Sequence, residues 1–463
     1  MNIRKYIGDK QFYSRFMVIV LPIIIQNGIT NLVSLLDNVM VGQIGTEQMT
    51  GVSITNQILF IYNLSIFGAT SGAGVFGAQF FGQGNHEGLR DTLRYKLLSG
   101  GLLLCIGLAL FHFFGGDFIN LYLHEGSETG DLALTLKMGQ EYLKIMMIGL
   151  IPFTLGQCYA STLRETGETA LPMKAGLVAV GVNLVLDYIL IFGKLGLPEL
   201  GVAGAAIATV IARLVECLII IIWTHVHKKK CKYIVGIFRH FSIPMDLAKQ
   251  ITIKGMPLLA NEFLWSLGIA TMNQCYSIKG LSVVAGVNIT STIINLFNVV
   301  FVAMGSAIGI LVGQMLGAGE FDKAKDSARK MIFMSVAITV LIGWVVALTA
   351  PLFPMLYNTT DDVRSYATSF IRIMGFLMPV HAYLNSVYFT MRSGGKTLVT
   401  FFFDSFFMWI VVIPTAYCIT HFLPFDIVWL YFLCQLPDAL KCIIGHVMFK
   451  KDMWIQNLVT KEG

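Results

Sequence analysis

Gln79-Phe-Phe-Gly-Gln-Gly84 and Gln314-Met-Leu-Gly-Ala-Gly319 are two versions of one segment, one in each half of a chain of 463 residues. Arg164-Glu-Thr-Gly-Glu-Thr169 matches Arg392-Ser-Gly-Gly-Lys-Thr397 in the same way. Further identities at the shift that aligns Gln79 with Gln314 pair two charged residues and a proline with their counterparts: Asp91 with Asp326, Arg94 with Arg329 and Pro22 with Pro257. Two separate blocks at nearly the same shift indicate that the chain consists of two parallel repeats.

The composition places both repeats in a membrane. Hydrophobic residues make up 55% of the chain, charged residues only 13%, and the mean hydropathy is +0.70. A soluble globular domain carries about 25% charged residues, so a soluble enzyme and a disordered protein are both excluded. Eight cysteines are present and none stands in a CxxC pair, so neither a disulfide framework nor a zinc site is indicated.

Apolar segments long enough to cross a bilayer, about 20 residues each, predict the fold. The predicted fold is an all-α membrane protein with twelve transmembrane helices in two pseudo-symmetric six-helix bundles around a central cavity. We expect an N-terminal bundle over residues 1–224, a basic cytoplasmic linker over 225–254 and a C-terminal bundle over 255–463. The predicted spans are 16–41, 53–80, 97–122, 142–163, 171–193, 202–224, 255–278, 287–315, 331–356, 370–391, 398–420 and 427–449.

The basic residues predict the orientation. Of 33 Lys and Arg residues, 25 fall on the side of the chain ends and of the even-to-odd loops. The positive-inside rule therefore places both termini in the cytoplasm of a multi-pass cell-membrane protein. The net charge of +6 is explained by this topology, and a nucleic-acid partner is not expected.

Charged residues inside a bilayer are costly, so each one in a span requires an explanation. Two i,i+3 pairs, Arg213 with Glu216 and Asp438 with Lys441, are expected to neutralise themselves locally. Four acids have no basic partner within helical reach: Asp37, Asp187, Glu262 and Asp404. Such carboxylates are expected to face a wet cavity, another polar group or a bound cation.

The N-terminal repeat holds the stronger candidate site. Asn183 and Asp187 are i,i+4 and point to one side of the fifth span. Together with Asp37, their oxygens could hold Na⁺, or one buried carboxylate could carry a proton; the sequence leaves both open. His381 lies within the tenth span, and Trp265 follows Glu262 by three residues; both are candidates for a substrate cavity, as are Glu262 and Asp404.

The sequence resembles the multidrug and toxic compound extrusion (MATE) transporters over essentially its whole length. The resemblance rests on the two blocks quoted first and on three further segments. These are Asp37-Asn-Val-Met-Val-Gly42-Gln-Ile-Gly45, Asn183-Leu-Val-Leu-Asp187 and Gly201-Val-Ala-Gly204-Ala-Ala-Ile-Ala-Thr209. The resemblance implies two six-helix bundles and export of organic compounds in exchange for Na⁺ or H⁺.

The resemblance also implies site residues. Those matching the family's N-terminal cation site are Asp37, Asn183, Asp187 and Thr209, and Pro22 is the expected helix hinge. Many members place an acid eight residues after the proline of the seventh span. Here Glu262 follows Pro257 by five residues, position eight is Trp265, and the repeat aligns Glu262 with Asn27, another cavity candidate.

The predicted function is therefore secondary antiport. The chain is expected to be a monomer in the lipid bilayer that exports a small, cationic and amphipathic organic substrate, with Na⁺ or H⁺ as the coupling ion and no cofactor. The alternative is a flippase for lipids or lipid-linked oligosaccharides, a related fold whose cavity needs exposed basic residues. An enzyme is not expected, because no GxxxxGK[ST], HExxH or GxSxG segment is present.

Overall fold

The computed structural model describes residues 6–123, 131–240, 242–357, 359–422 and 426–460. Helices and short turns account for the ordered backbone of these residues, which include no β-strand. The first six long helices are α1 (Lys10–Gly42), α2 (Thr46–Gln83), α3 (His86–Leu123), α4 (Leu132–Glu165), α5 (Ala170–Ile191) and α6 (Gly201–Val226). The next four are α7 (Met245–Ser277), α8 (Leu281–Gly317), α9 (Phe321–Thr349) and α10 (Asp361–Ser393).

Two further helical segments, both interrupted, complete a set of twelve among the described residues. The first contains α11 (Thr397–Phe401), two wide π-helical turns at Phe402–Phe406 and Met408–Val412, and α12 (Ile413–Phe422). Pro414 has no N–H to donate to the carbonyl of Ile410, which removes one α-helical hydrogen bond where the wide turns end. The second contains α13 (Ile427–Gln435) and α14 (Pro437–Lys450), and Pro437 stands at the first position of α14.

Ten of these helical segments are long and apolar enough to cross a membrane. The other two, α7 and α10, have 33 residues each but are less apolar. The prediction of an all-α membrane fold is confirmed. The sequence predicts that both chain ends lie in the cytoplasm. Residues 1–5 and 461–463, at these ends, lie outside the described residues.

The chain divides into two compact units. The N-terminal unit contains Ile25–Gly77 and Asn85–Thr252. The C-terminal unit contains everything from Ile253 onward, together with Ala78–Gly84 and the start of α1 as far as Ile24. The division within α1 thus falls two residues after Pro22, the expected hinge, although α1 runs unbroken through this proline to Gly42.

Each unit has its own apolar core. In the N-terminal unit, Ile66 of α2, Ile119 of α3 and Leu150 of α4 are fully buried in one cluster. In the C-terminal unit, Phe16 of α1 and Ala307 of α8 are fully buried in a cluster that also contains Trp454, which follows α14.

The ends of α2 and α8 cross within the C-terminal unit, and this crossing joins the two blocks that reveal the repeat. A Cβ atom on Gly82 would overlap the carbonyl oxygen of Gln314, and a Cβ atom on Gly317 would overlap that of Gln79. The contact is reciprocal. The shift that aligns Gln79 with Gln314 also aligns Gly82 with Gly317, so each glycine meets the glutamine of the other repeat. Glycine is required at both positions, since only a residue without a side chain allows the backbones to come this close.

The chain after α14 covers this crossing. The Gln79 amide nitrogen donates to the carbonyls of Ser393 (2.9 Å) and Gln456 (3.2 Å), and its oxygen accepts from the Leu458 N–H (2.7 Å). The Asn457 amide donates to the Leu316 carbonyl (3.0 Å). The last described residues are therefore an ordered part of the C-terminal unit.

Candidate functional site

Two carboxyl groups face each other in the N-terminal unit, Asp37 from α1 and Asp187 from α5. The Asp187 residue is 1% exposed, and neither of its carboxyl oxygens makes a hydrogen bond to another described residue. Oδ1 of Asp37 is likewise buried and makes no hydrogen bond within the described part of the chain. The structure therefore brings together the two acids that the sequence leaves without partners in this half.

Asn183 lies one turn before Asp187 on α5, and its side chain contacts the Asp187 carboxyl group. Asn183 is buried, and its amide nitrogen makes no hydrogen bond to the described residues. Thr209, the fourth predicted residue, is half-buried on α6, and its hydroxyl donates to the Ala205 carbonyl of its own helix (3.0 Å). Because the Thr209 hydroxyl is the donor in that bond, the bond does not use the lone pairs of its oxygen.

The electrostatics of this cluster determine what it can do. Two adjacent carboxylates in an apolar interior repel each other and lose their hydration, so both cannot stay charged without a compensating positive charge. A proton shared at the pair or a hard monovalent cation on the carboxyl oxygens supplies that charge. The unbonded oxygens of Asp37 and Asp187 fit either occupant, and the Asn183 side chain lies beside them.

Arg213 and Glu216 on α6, expected to form a local pair, still interact electrostatically but make no direct ion pair among the described residues. The Arg213 guanidinium instead lies over the Phe153 ring of α4, 4.9 Å from its centre, and Nη1 is buried without a hydrogen bond to the described residues. Packing of α4 against α6 thus overrides an i,i+3 spacing that the sequence alone makes favourable.

The second expected local pair, Asp438 with Lys441, is also replaced. The Lys441 ammonium donates to Oδ1 of Asp404 at 2.6 Å, and Asp438 accepts from Nε2 of His381 at 3.2 Å. Asp404 thus has no basic partner on its own helix, as expected, but it does have one elsewhere. Its partner comes from α14, a different helix, and helical spacing cannot reveal such a contact.

Three further residues, which the sequence did not single out, complete the surroundings of Asp404. The Asn261 amide nitrogen of α7 donates to Oδ2 of Asp404 (3.2 Å) and to the Tyr388 hydroxyl (3.3 Å). The Asn261 oxygen accepts from both the backbone N–H (3.2 Å) and the hydroxyl (2.8 Å) of Ser405. The only sequence hint to Asn261 is its position beside Glu262.

The remaining cavity candidates are dispersed. Glu262 is half-buried on α7, and Arg392 and Asp404 are the charged groups that act on it. Trp265 is 41% exposed, and among the described residues no contact joins it to the Asp404 cluster. Asn27 is half-buried and belongs to the N-terminal unit, whereas Glu262 belongs to the C-terminal unit.

Known proteins match this chain over nearly its whole length. The MatE family model matches residues 22–189 and 257–418, one match in each repeat. The chain is 24% identical to "Probable multidrug resistance protein YoeA" of Bacillus subtilis (strain 168) over 449 residues, which cover 95% of this chain and 94% of the relative. It is also 24% identical to "Probable multidrug resistance protein NorM" of Thermotoga maritima over 438 residues, 94% of this chain and 89% of the relative.

Solved structures share the fold. A multidrug resistance MATE family transporter of the MOP superfamily, in an outward-facing conformation, superposes with a TM-score of 0.84 at 19% identity, covering 97% of both chains. A mutant of the Vibrio cholerae MATE transporter VcmN superposes with a TM-score of 0.85 at 18% identity, covering 96% of this chain and 99% of that one. With the family model matched in both repeats, the chain belongs to the MatE family of membrane transporters.

Proposed function

We propose that the protein is a cation-coupled antiporter that exports organic compounds and uses Asp37 and Asp187 as its coupling site. One observation carries this proposal: the buried carboxyl group of Asp187 faces that of the half-buried Asp37, and three of their four oxygens are buried with no hydrogen bond to the described residues. Carboxylates in this arrangement favour a proton or Na⁺, and release of that ion leaves a repulsive pair. The free energy of the N-terminal unit therefore depends on whether the ion is bound.

The coupling cycle follows from this dependence. An external ion neutralises the Asp37–Asp187 pair, and α1 responds near Pro22, two residues before the point at which this helix passes from one unit to the other. This response favours release of the substrate to the outside. Once the ion has left to the cytoplasm, the repulsive carboxylates favour the state that takes up substrate. Inward movement of one positive charge adds about 2.3 kcal/mol per 100 mV of membrane potential.

The substrate class that the site favours is a small organic cation. Unpaired acids attract positive charge, and the two relatives quoted above are named as multidrug resistance proteins. A flippase for anionic lipids would need several exposed basic groups within the spans, but the Arg213 guanidinium is stacked on Phe153 and Lys441 is paired with Asp404, which leaves Arg372 as the exposed one of these three. The flippase alternative is therefore not favoured. The antiporter acts as a monomer in the cell membrane with both termini in the cytoplasm.

The decisive experiment is substrate efflux in proteoliposomes under separately imposed Na⁺ and pH gradients. Tetraphenylphosphonium serves as the organic-cation probe. Asp187→Asn and Asp37→Asn should each abolish gradient-driven transport while leaving expression and monodispersity unchanged. The matched control is Asp322→Asn, which removes an exposed carboxylate in the first turn of α9 and should transport normally. Normal gradient-driven transport by both site variants would overturn the proposal.

A further inference from the structure

The intramembrane aspartates Asp187 and Asp404 of the two units differ in their hydrogen-bond partners. In the N-terminal unit, both oxygens of Asp187 are buried without a hydrogen bond to the described residues. In the C-terminal unit, both oxygens of Asp404 are occupied, Oδ1 by the Lys441 ammonium (2.6 Å) and Oδ2 by the Asn261 amide (3.2 Å). The positive charge that the first site must obtain from outside is supplied at the second site by the chain itself.

The groups around the Lys441 ammonium are those that recognise an organic ammonium ion. Besides the Asp404 carboxylate, the ammonium lies over the Phe403 ring at 5.2 Å from its centre. A carboxylate and an aromatic face together supply ion pairing and a cation–π contact. The lysine side chain is 13% exposed, so the charge is held largely out of water.

The site does not depend on Lys441 for its shape. Asn261 holds Oδ2 of Asp404 and, through its own oxygen, also the backbone N–H and hydroxyl of Ser405. The Ser405 hydroxyl also lies 2.8 Å from the Asn261 carbonyl. The wide turn Phe402–Phe406, which carries both Phe403 and Asp404, is therefore fixed to α7 independently of α14.

The N-terminal repeat has no counterpart of this pair. The shift that aligns Arg164 with Arg392 places Asp404 opposite Gly176 and Lys441 opposite Arg213. A glycine supplies no carboxylate, and Arg213 lies instead over Phe153. The lysine–aspartate contact is thus a feature of one repeat, and packing common to both halves does not account for it.

We propose that Lys441 is a tethered cation, which fills a site for an organic ammonium formed by Asp404 and Phe403 and so prevents a free cation from binding there. The proposal deepens the proposed function, on which it rests in one respect: it leaves ion coupling to the Asp37–Asp187 pair alone. Lys441 is in this sense a specificity-determining residue, and removal of its side chain exposes a second cation site.

The test is chemical rescue of Lys441→Ala, with n-butylammonium as the probe, because it has the charge and the chain length of a lysine side chain. The purified full-length variant should melt at a lower temperature than the wild type, because Asp404 loses its counter-charge. Added n-butylammonium chloride should raise the melting temperature saturably. NaCl at equal ionic strength and n-butanol should not, and the wild type should not respond to n-butylammonium.

The control is the double variant Lys441→Ala/Asp404→Asn, which lacks the carboxylate and should not respond to the probe. An equal response of the single and double variants, or no response of the single variant, would overturn the proposal. A NaCl effect as large as that of n-butylammonium would overturn the assignment to an organic ammonium. If Lys441→Ala is not monodisperse, Lys441→Ser, which leaves the site almost as open, is tested in the same way and judged by the same outcomes.

A third variant separates this proposal from the function on which it rests. Lys441→Ala/Asp187→Asn should be rescued by n-butylammonium as well as Lys441→Ala, because Asp187 is not part of the Asp404 site. Failure of the coupling site in the transport assay would leave this rescue intact. Loss of rescue in this variant would show that the probe acts at Asp187 and would overturn the proposal.

Discussion

The Lys96 ammonium lies 2.6 and 2.7 Å from the two carboxylate oxygens of Glu165, and the lysine side chain has no exposure to solvent. The ammonium also donates to the hydroxyls of Ser161 and Thr162. At the shifts that relate the repeats, Met331 and Ser393 stand opposite Lys96 and Glu165. The C-terminal repeat thus replaces both members of the ion pair by neutral residues.

The first prediction concerns this pair. Glu165→Gln removes one charge and leaves the buried Lys96 ammonium uncompensated, which should lower the free energy of unfolding by about 3–5 kcal/mol. Thermal melting of the purified protein measures the loss. The double variant Lys96→Met/Glu165→Ser copies the C-terminal repeat and should be less destabilised than Glu165→Gln. A double variant that is at least as unstable would contradict this account.

The second prediction concerns the crossing of α2 and α8. Gly82→Ala would place its Cβ on the Gln314 carbonyl oxygen, a backbone atom that cannot move aside alone, so the crossing must open. Overpacking of this kind costs about 1–3 kcal/mol or more. The matched control is Gly101→Ala in α3, whose Cβ would meet no atom within 4 Å and which should melt no lower than the wild type. Equal melting temperatures for the two variants would refute the close contact.

The third prediction concerns the chain that follows α14. Trp454 is fully buried beside Phe449, with ring centres 5.9 Å apart, and Trp454→Ala should cost about 3–5 kcal/mol of stability. The control is Trp344→Ala on α9, a tryptophan that is 55% exposed and whose loss should matter less for stability in detergent. The two melting temperatures decide the comparison, and the larger drop must belong to Trp454→Ala.

The fourth prediction is a pH dependence outside the spans. Burial raises the pKa of the Cys231 thiol in the segment between α6 and α7. Because the thiolate is the reactive form, alkylation of Cys231 by iodoacetamide should be slow near neutral pH and should accelerate as the pH rises towards and through this raised pKa. Mass spectrometry of native and unfolded protein measures the rates. Native Cys231 that reacts as fast at pH 7 as in the unfolded chain would contradict the prediction.

The sequence predicts the twelve helical segments and singles out Asp37 and Asp187 for the same reason, and the resemblance to MATE transporters implies that these two acids share a site. An apolar background makes each charge conspicuous, and an acid without a neighbour at i+3 or i+4 needs a distant partner. Helical spacing cannot name that partner. Lys441 is near Asp438 in the sequence, yet its ammonium binds Asp404, because the packing of α14 against the wide turn decides the pairing.

The wide turns at Phe402–Phe406 and Met408–Val412 could not be predicted either. An apolar run that contains Pro414 is compatible with a kink, a break or a π-helical turn, and local sequence does not distinguish among them. The turn matters for the site, since it sets the direction of Asp404. The ion pair of Lys96 and Glu165 could not be predicted for another reason. The two residues lie 69 positions apart and near predicted span ends, where charges are common.

The reciprocal contact of Gly82 with Gln314 and of Gly317 with Gln79 is isologous, the type of contact that two identical subunits make about a twofold axis. Within one polypeptide, such a contact relates the two repeats by the symmetry that an interface between two identical subunits would have. In a homodimer, one substitution would change such an interface at two places. In a single chain each half of the contact can be substituted alone, and the two repeats differ from each other at Asp404 and at Lys96.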